Sequence, residues 1–182
     1  MKRLAMLGTL IAAAALTAAP GASAAGDHDT LRVKIRRPVV FLNATAACPQ
    51  GIATYGVRFR GTAGTGRNCI TAVSPKTCPQ GSNDLLCQKV FLRVRVRVPG
   101  GTLRARMTAD EVWNCVDSAC AKLRIHELWR GRVTKAHGRF ADARGGRISG
   151  GGSLSVDAAT FDVTGVDATL VIHAAGDDHA VA

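Results

Sequence analysis

A run of alternating apolar and basic residues between positions 92 and 107 constrains the fold of this chain more than any other feature. The first half has Leu or Val at even positions and Arg at odd positions, and the second half reverses the parity. A two-residue period is that of a β-strand with one buried face and one solvated face. Pro99, Gly100 and Gly101 interrupt the run, so we predict a β-hairpin.

The glycine pair suggests the turn and hence the register of this hairpin. A two-residue turn at Gly100 and Gly101 would supply the positive φ values that tight hairpins need. The expected cross-strand pairs are Val98 with Leu103, Val96 with Ala105, Val94 with Met107, Arg97 with Arg104, and Arg95 with Arg106. A slip of one residue would set Val96 against Arg104, so the apolar pattern favours the register above.

One face of the predicted hairpin carries five arginines and no acidic residue. They are Arg93, Arg95, Arg97, Arg104 and Arg106. Like charges opposite each other destabilise a strand pair, whereas the planar arginine fork suits phosphate and carboxylate. We therefore predict an anion-binding site here. The alternative is a solvated face on which salt or acids of a neighbouring strand weaken the repulsion.

Other segments repeat the strand period. Residues 31–36, 55–60 and 168–174 alternate in the same way, and residues 117–130 fit a short helix or a strand, of which we favour the strand. Short strands separated by turns indicate an all-β sandwich or barrel. If these strands lie beside the hairpin, they enlarge the basic surface by Arg32, Lys34, Arg36, Arg58 and Arg60.

The first 24 residues have the order of an export signal. Lys2 and Arg3 precede an uncharged run at 4–19, and Ala22-Ser23-Ala24 is a small-x-small cleavage site. We predict a signal peptide at 1–24, a single secreted domain at 25–182, and no membrane-spanning segment. Removal of two of the 24 basic residues leaves 22 against 13 acidic ones, a formal charge of +9. Such a balance suggests an anionic partner, such as a cell-surface polymer, and the alternative is a soluble protein whose basic charge has no such role.

All six cysteines lie after the predicted cleavage site. An even number in an oxidising compartment indicates three disulfides. Local pairing joins Cys48 to Cys69, Cys78 to Cys87 and Cys115 to Cys120. Because no C-x-x-C pair and no suitably spaced histidine is present, we predict no metal site.

No catalytic motif or cofactor motif is complete. The stretch at 61–68 is rich in glycine, but Arg67 and Asn68 stand where a phosphate loop needs Lys and Ser or Thr; we interpret it as a turn. The two tryptophans suit a core or a rim, and aromatic residues are too few for a single-stranded nucleic-acid groove. The acid–base candidates to line a cavity are Asp110, Glu111, His126, Glu127, His137 and Asp142.

Two segments, VPGGTLRARM (98–107) and VTKAHGRFADARGGRISG (133–150), resemble the dirigent protein and allene oxide cyclase-like superfamily. Its Gly-x-Phe/Tyr-x-x-Ala-x-Gly turn is matched by Gly138, Phe140, Ala143 and Gly145. The resemblance implies an eight-stranded antiparallel barrel with an apolar interior. The family's usual Gly-Gly-Thr is replaced by residues 135–137, three disulfides are not typical of it, and no active-site role carries over.

The leading functional prediction is non-catalytic binding, of an anionic polymer or surface at the arginine face or of an apolar small ligand inside the barrel. One alternative is an isomerase or cyclase-like enzyme that acts in the cavity. Another is a protein-binding or inhibitor module that presents the Cys78–Cys87 loop. A cavity of about 300 Å³ would favour an internal ligand, and two titratable side chains inside it would favour an enzyme.

Overall fold

The computed structural model describes residues 30–80 and 83–175, so the predicted signal peptide lies outside the described residues. The strands are β1 (Thr30–Leu42), β2 (Ile52–Phe59), β3 (Thr62–Lys76), β4 (Asp84–Val98), β5 (Gly101–Cys115), β6 (Lys122–Gly138), β7 (Arg147–Asp157) and β8 (Val163–His173). Each strand pairs antiparallel with the next, and β8 pairs with β1 to close the ring. The prediction of an eight-stranded antiparallel barrel is confirmed, in place of the alternative sandwich.

The two-residue period of the sequence becomes the inside and the outside of this barrel. Val33 and Ile35 are buried while the basic residues between and beside them are exposed, and β4 and β5 show the same pattern. The ambiguous segment at 117–130 is a strand from Lys122 onward, as we favoured, and residues 116–121 form the preceding turn. Parity along each strand therefore decides which side chains reach the interior.

The hairpin formed by β4 and β5 has the predicted faces but not the predicted register. Val98 pairs with Gly101, Val96 with Leu103, Val94 with Ala105, Arg95 with Arg104, and Arg93 with Arg106. The turn is at Pro99 and Gly100, because proline fixes a negative φ at the first turn position and Gly100, at φ +74°, supplies the positive one at the second. The predicted pairing was wrong by two residues, a slip that leaves every side chain on its own face.

The glycine-rich stretch at 61–68 is also not the turn we predicted. Only Arg60 and Gly61 turn, and β3 begins at Thr62. Two of its glycines face the interior, where neighbours take the space of a side chain. A Cβ on Gly66 would lie 2.0 Å from the Tyr55 ring, and one on Gly64 would lie 2.3 Å from the carbonyl oxygen of Arg97. Glycine here admits close packing across a strand.

The two ends of the barrel are built differently. At one end the connection between β6 and β7 places Phe140, which is fully buried, with its ring centroid 4.7 Å from that of Phe59. Ala143 of the 3₁₀ turn Ala141–Ala143 is buried beside the same core. This end is therefore filled by side chains. The opposite end, which we call the mouth, carries the β1–β2, β3–β4, β5–β6 and β7–β8 connections.

All three disulfides fix connections that belong to the mouth end of the barrel. The structure joins Cys48 to Cys69, Cys78 to Cys87 and Cys115 to Cys120, which are the pairs predicted from local spacing. The first ties the β1–β2 connection to β3, and the other two close the β3–β4 and β5–β6 connections. The cross-links thus reinforce three of the four connections at the mouth end.

Candidate functional site

The five arginines of the predicted anion site all point outward and are exposed. Four of them, Arg93, Arg95, Arg104 and Arg106, line one cleft of about 440 Å³ on the outer wall, and Arg97 lies outside its lining. Two cations that the sequence did not assign to the site, Arg67 and Lys135, complete it. No acidic side chain is among the described residues that line this cleft.

Strand pairing sets these cations in cross-strand rows. Arg67 of β3, Arg95 of β4, Arg104 of β5 and Lys135 of β6 are successive register partners. The pKa of Arg95 is lowered, first by the positive charge of Arg97, then by partial burial and by Arg104 and Arg67. The crowding therefore disfavours the charged state of Arg95, and an anion in the cleft would relieve it.

The β1–β2 connection forms one wall of the cleft. Cys48 and Cys69 are buried with Ile52 against the outside of the barrel. Arg93 donates to the carbonyl oxygen of Ala47, which fixes one guanidinium against this wall. On the far side, a register irregularity after Arg104 accompanies Thr134, whose hydroxyl donates to the Arg104 carbonyl oxygen at 3.2 Å.

The basic residues of β1 and β2 do not extend this cleft. They line a separate hollow of about 590 Å³, whose cations are Arg32, Lys34, Arg36, Arg58 and Arg60. Between the two regions the outer faces carry uncharged side chains, among them Ala63 and Thr65 of β3. The cleft and this hollow are therefore separate basic surfaces of similar charge, and a folded-back loop walls the cleft.

A different cavity opens inside the barrel at the mouth. Its volume is about 290 Å³, and nine of the thirteen side chains that line it are apolar. The polar four are Gln50, Gln88, Glu111 and Glu127. Glu111 pairs across the strands with both Gln88 and Glu127, so three of the four form one layer across β4, β5 and β6. Beneath this layer lies the apolar core that reaches to Phe140.

Hydrogen bonds hold the polar layer in place. Gln88 donates through Nε2 to a carboxylate oxygen of Glu111 at 2.7 Å, and Trp113 donates through Nε1 to the same oxygen at 3.2 Å. Below them, the hydroxyl of buried Tyr55 donates to Oδ1 of Asn68 at 2.6 Å. Burial, and next the negative charge of Glu127, raise the pKa of Tyr55, so this phenol stays neutral.

The carboxyl group of Glu127 has a displaced pKa in this layer. Burial, followed by the negative charge of Glu111, raises the pKa of Glu127 to about 8. A hydrogen bond from Trp129 opposes the rise, and one shared with Glu111 adds to it. At neutral pH Glu127 therefore keeps its proton and shares it with Glu111. The remaining carboxyl oxygens of the pair can accept a hydrogen bond from a ligand.

Of the six acid–base candidates named from the sequence, the structure brings only two into the cavity. Asp110 points outward and forms an ion pair with Lys76, and His126, His137 and Asp142 are exposed. The two-residue period was the available signal, because Glu111 and Glu127 occupy positions of β5 and β6 at which the other side chains are apolar and face the interior. Gln88 has the same signal on β4, and we did not predict it.

No helix among the described residues is long and apolar enough to span a membrane. The loop closed by Cys78 and Cys87 contains residues 81 and 82, which lie outside the described residues, so its predicted role as a displayed tip remains a prediction. Comparison of the chain with protein-family models, with curated proteins and with solved structures finds no match. The likeness of residues 98–150 to the dirigent and allene oxide cyclase-like superfamily accordingly stays a prediction.

Proposed function

We propose that this protein binds a small, largely apolar molecule with one hydrogen-bonding group in the mouth of the barrel. The observation that carries the proposal is the cavity of about 290 Å³, apolar on its walls and polar at the layer of Gln88, Glu111 and Glu127. A concave apolar site with a few convergent polar groups is the usual form of a ligand site. We also propose that the protein acts after secretion, which the three disulfides support.

The polar layer defines the ligand's chemistry. Glu127 keeps its proton and shares it with Glu111, so the remaining carboxyl oxygens accept a hydrogen bond from a ligand, such as that of an alcohol hydroxyl, while Gln88 and Trp113 already donate to Glu111. The apolar wall, which includes Val90, Ile125 and Leu154, holds the rest of the molecule. The ligand is small, because the volume lies at the lower end of that of ligand pockets, about 300–1,000 Å³.

The test is titration with 1-aminoanthracene, a small neutral apolar fluorophore, at low and high salt. We expect saturable binding that salt does not change. Val73 lines the cavity, yet its side chain is 38% exposed. The larger side chain of Val73→Trp can therefore occupy the mouth without displacing buried neighbours. We expect this variant to bind at least about tenfold more weakly, since occupied volume excludes the ligand.

Val40→Trp is the matched control, because Val40 is 45% exposed and does not line the cavity. It adds the same side chain near the same end of the barrel, and we expect unchanged affinity. Absence of saturable binding, or an equal loss in both variants, would contradict an internal site. Displacement of the fluorophore by small ketones and alcohols then ranks ligand classes.

An enzyme is the second candidate, and the Glu111–Glu127 pair is the observation that favours it. A carboxyl group of raised pKa beside a second carboxyl group is an arrangement that can move a proton on a bound substrate, as an isomerase or cyclase-like enzyme does. The two functions differ in what becomes of the ligand. A ligand recovered unchanged after prolonged incubation supports binding alone, whereas a rearranged ligand of the same mass, absent with Glu127→Gln, supports the enzyme.

A further inference from the structure

A second row of cations lies beside the first, and two of its three members, Arg93 and Arg106, line the outer cleft. Arg93, Arg106 and Arg132 are successive register partners on β4, β5 and β6. On β4 and β5 the rows are two residues apart, a separation of about 6.6 Å, and on β6 the register irregularity places them three residues apart. The first row crosses four strands and so spans about 14 Å. Together the rows make a track that runs across the strands and is longer than a single phosphate group.

The acidic residues on the described parts of β3 to β6 do not neutralise the positive charge of the track. On the outer faces of β4 and β5, Asp84 and Asp110 lie toward the mouth, where they are engaged by Asn114 and Lys76. Of the cations in the two rows, only Arg93 has a fixed oxygen partner, the Ala47 carbonyl. The positive charge of the track is therefore available to an external anion, and repulsion within it favours one.

The side-chain chemistry selects among polyanions. A phosphodiester has two free oxygens that diverge tetrahedrally, so it accepts hydrogen bonds from both rows at once. A planar carboxylate is satisfied by one arginine fork. The lining has no aromatic side chain, and without a stacking platform the bases of a nucleic acid gain little. A flexible chain of phosphodiesters without bases fits this track best.

We propose that the cleft between the β1–β2 connection and β6 binds a linear phosphodiester polymer of the poly(glycerol phosphate) type. The site is on the outside of the barrel wall and shares no lining residue with the mouth cavity, so the proposal is independent of the internal ligand. The bound chain crosses β3 to β6 along the two rows. Each contact between a cation and a phosphate releases counterions, so the affinity falls steeply as salt rises.

The experiment measures binding of fluorescently labelled poly(glycerol phosphate) by anisotropy across a salt series. The cleft variant carries Arg67→Gln, Arg95→Gln, Arg104→Gln and Lys135→Gln. It spares Arg93, whose contact with the wall is structural. The matched control carries Arg32→Gln, Lys34→Gln, Arg36→Gln and Arg58→Gln in the other hollow. Both variants lose four positive charges, and retained 1-aminoanthracene binding and thermal unfolding verify that both fold.

We expect the wild-type affinity to fall as salt rises and the cleft variant to bind at least about tenfold more weakly at 0.1 M salt. For this variant, the slope of the logarithm of the binding constant against the logarithm of salt concentration should be shallower by about 3. Each of the four lost phosphate contacts contributes roughly 0.7 to that slope. The control should lose less than about threefold, which is the effect of net charge alone. Equal losses in both variants, or no binding by the wild type, overturn the proposal.

Three competitors test the chemistry. Unlabelled poly(glycerol phosphate) should displace the probe, and inorganic phosphate at the same phosphate concentration should not, because it cannot span the track. Poly(γ-glutamate) of matched charge should compete at least about tenfold less well, since its carboxylates engage one row. Equal competition by poly(γ-glutamate) overturns the phosphodiester assignment, and tighter binding of oligo(dT) overturns the assignment to a chain without bases.

Discussion

Glu127 is the residue at which location and chemistry conflict most. It lies half-buried on the inner face of β6, where a carboxylate loses hydration and faces the charge of Glu111. Glu127 therefore keeps its proton in the folded protein, and this couples folding to pH. In the unfolded chain a glutamate has a pKa of about 4.3, and in the folded protein that of Glu127 is about 8. Folding therefore binds a proton between these values.

This linkage predicts how stability varies with pH. Below about pH 4 both states hold the proton, and as pH rises toward about 8 the unfolded state alone releases it, so the free energy of unfolding falls by up to about 1.4 kcal/mol per pH unit. Glu127→Gln cannot titrate, so we expect urea unfolding of this variant to vary less between pH 5 and pH 8. The measurement is the urea midpoint at several pH values.

Two other carboxyl groups with displaced pKa values do not interfere with this measurement. The pKa values of Asp110 and Asp157 are lowered, by the hydrogen bond from Lys76 and by backbone hydrogen bonds from Thr160 and Ala159 respectively. Their contributions are complete above their ordinary pKa and are lost only at lower pH. Asp142→Asn, at an exposed position, is the control. A wild-type slope unchanged by Glu127→Gln would contradict the raised pKa.

The β4–β5 hairpin shows at the scale of an element which inferences the sequence supported and which it did not. Alternation identified its faces because a one-residue slip would bury arginine. A slip of two residues keeps both faces, so the pattern could not choose between Arg95 facing Arg106 and Arg95 facing Arg104, as observed. Pro99 decided the turn, and proline chemistry was the signal we did not use.

The same limit explains the sites. The pairing of β3 with β4 and of β5 with β6 brings Arg67 and Lys135 beside the hairpin arginines. These residues are far apart in the chain, so no local pattern joins them. Prediction of the cavity would have required knowledge of which end of the barrel is filled by side chains. Phe140 fills one end and loops with disulfides border the other, and that difference follows from three-dimensional packing.

Repulsion across the hairpin predicts a gain in stability from charge reversal. Arg104 faces Arg95 on one side and Lys135 on the other, so Arg104→Glu replaces two unfavourable pairs with favourable ones. We expect the melting temperature at low salt to rise by roughly 1–4 °C. In 1 M salt the gain should shrink, because the Debye length falls to about 3 Å. Scanning calorimetry at both salt concentrations measures it.

Arg124→Glu is the comparison for this prediction. Arg124 is exposed on β6 and pairs with Asn114 and Ser155, which are uncharged. The substitution changes net charge by the same amount without relieving a facing pair. If the two variants gain equally, net charge and not the cross-strand pairs explains the effect. Arg104→Glu should also weaken polymer binding, which separates the stability of the hairpin from the proposed function of its outer face.

At the scale of the whole molecule, one connection contributes to both proposed sites. The β1–β2 connection places Ala47 and Cys48 on the wall of the outer cleft and Gln50 on the lining of the mouth cavity. The Cys48–Cys69 disulfide holds this connection against β3. By contrast, the Cys115–Cys120 disulfide closes the β5–β6 turn and lines neither site.

Removal of these two disulfides should therefore affect ligand binding differently. Replacing Cys48 and Cys69 with serine frees the connection, and we expect loss of about 2–4 kcal/mol of stability together with weaker binding of both poly(glycerol phosphate) and 1-aminoanthracene. Replacing Cys115 and Cys120 with serine should also reduce stability while leaving polymer affinity unchanged, because the cleft keeps its wall. Urea unfolding and the two titrations, made under conditions in which each variant is folded, distinguish the cases. If the first variant bound the polymer as tightly as the wild type, the connection would not be part of the cleft, and the track would lie on the strands alone.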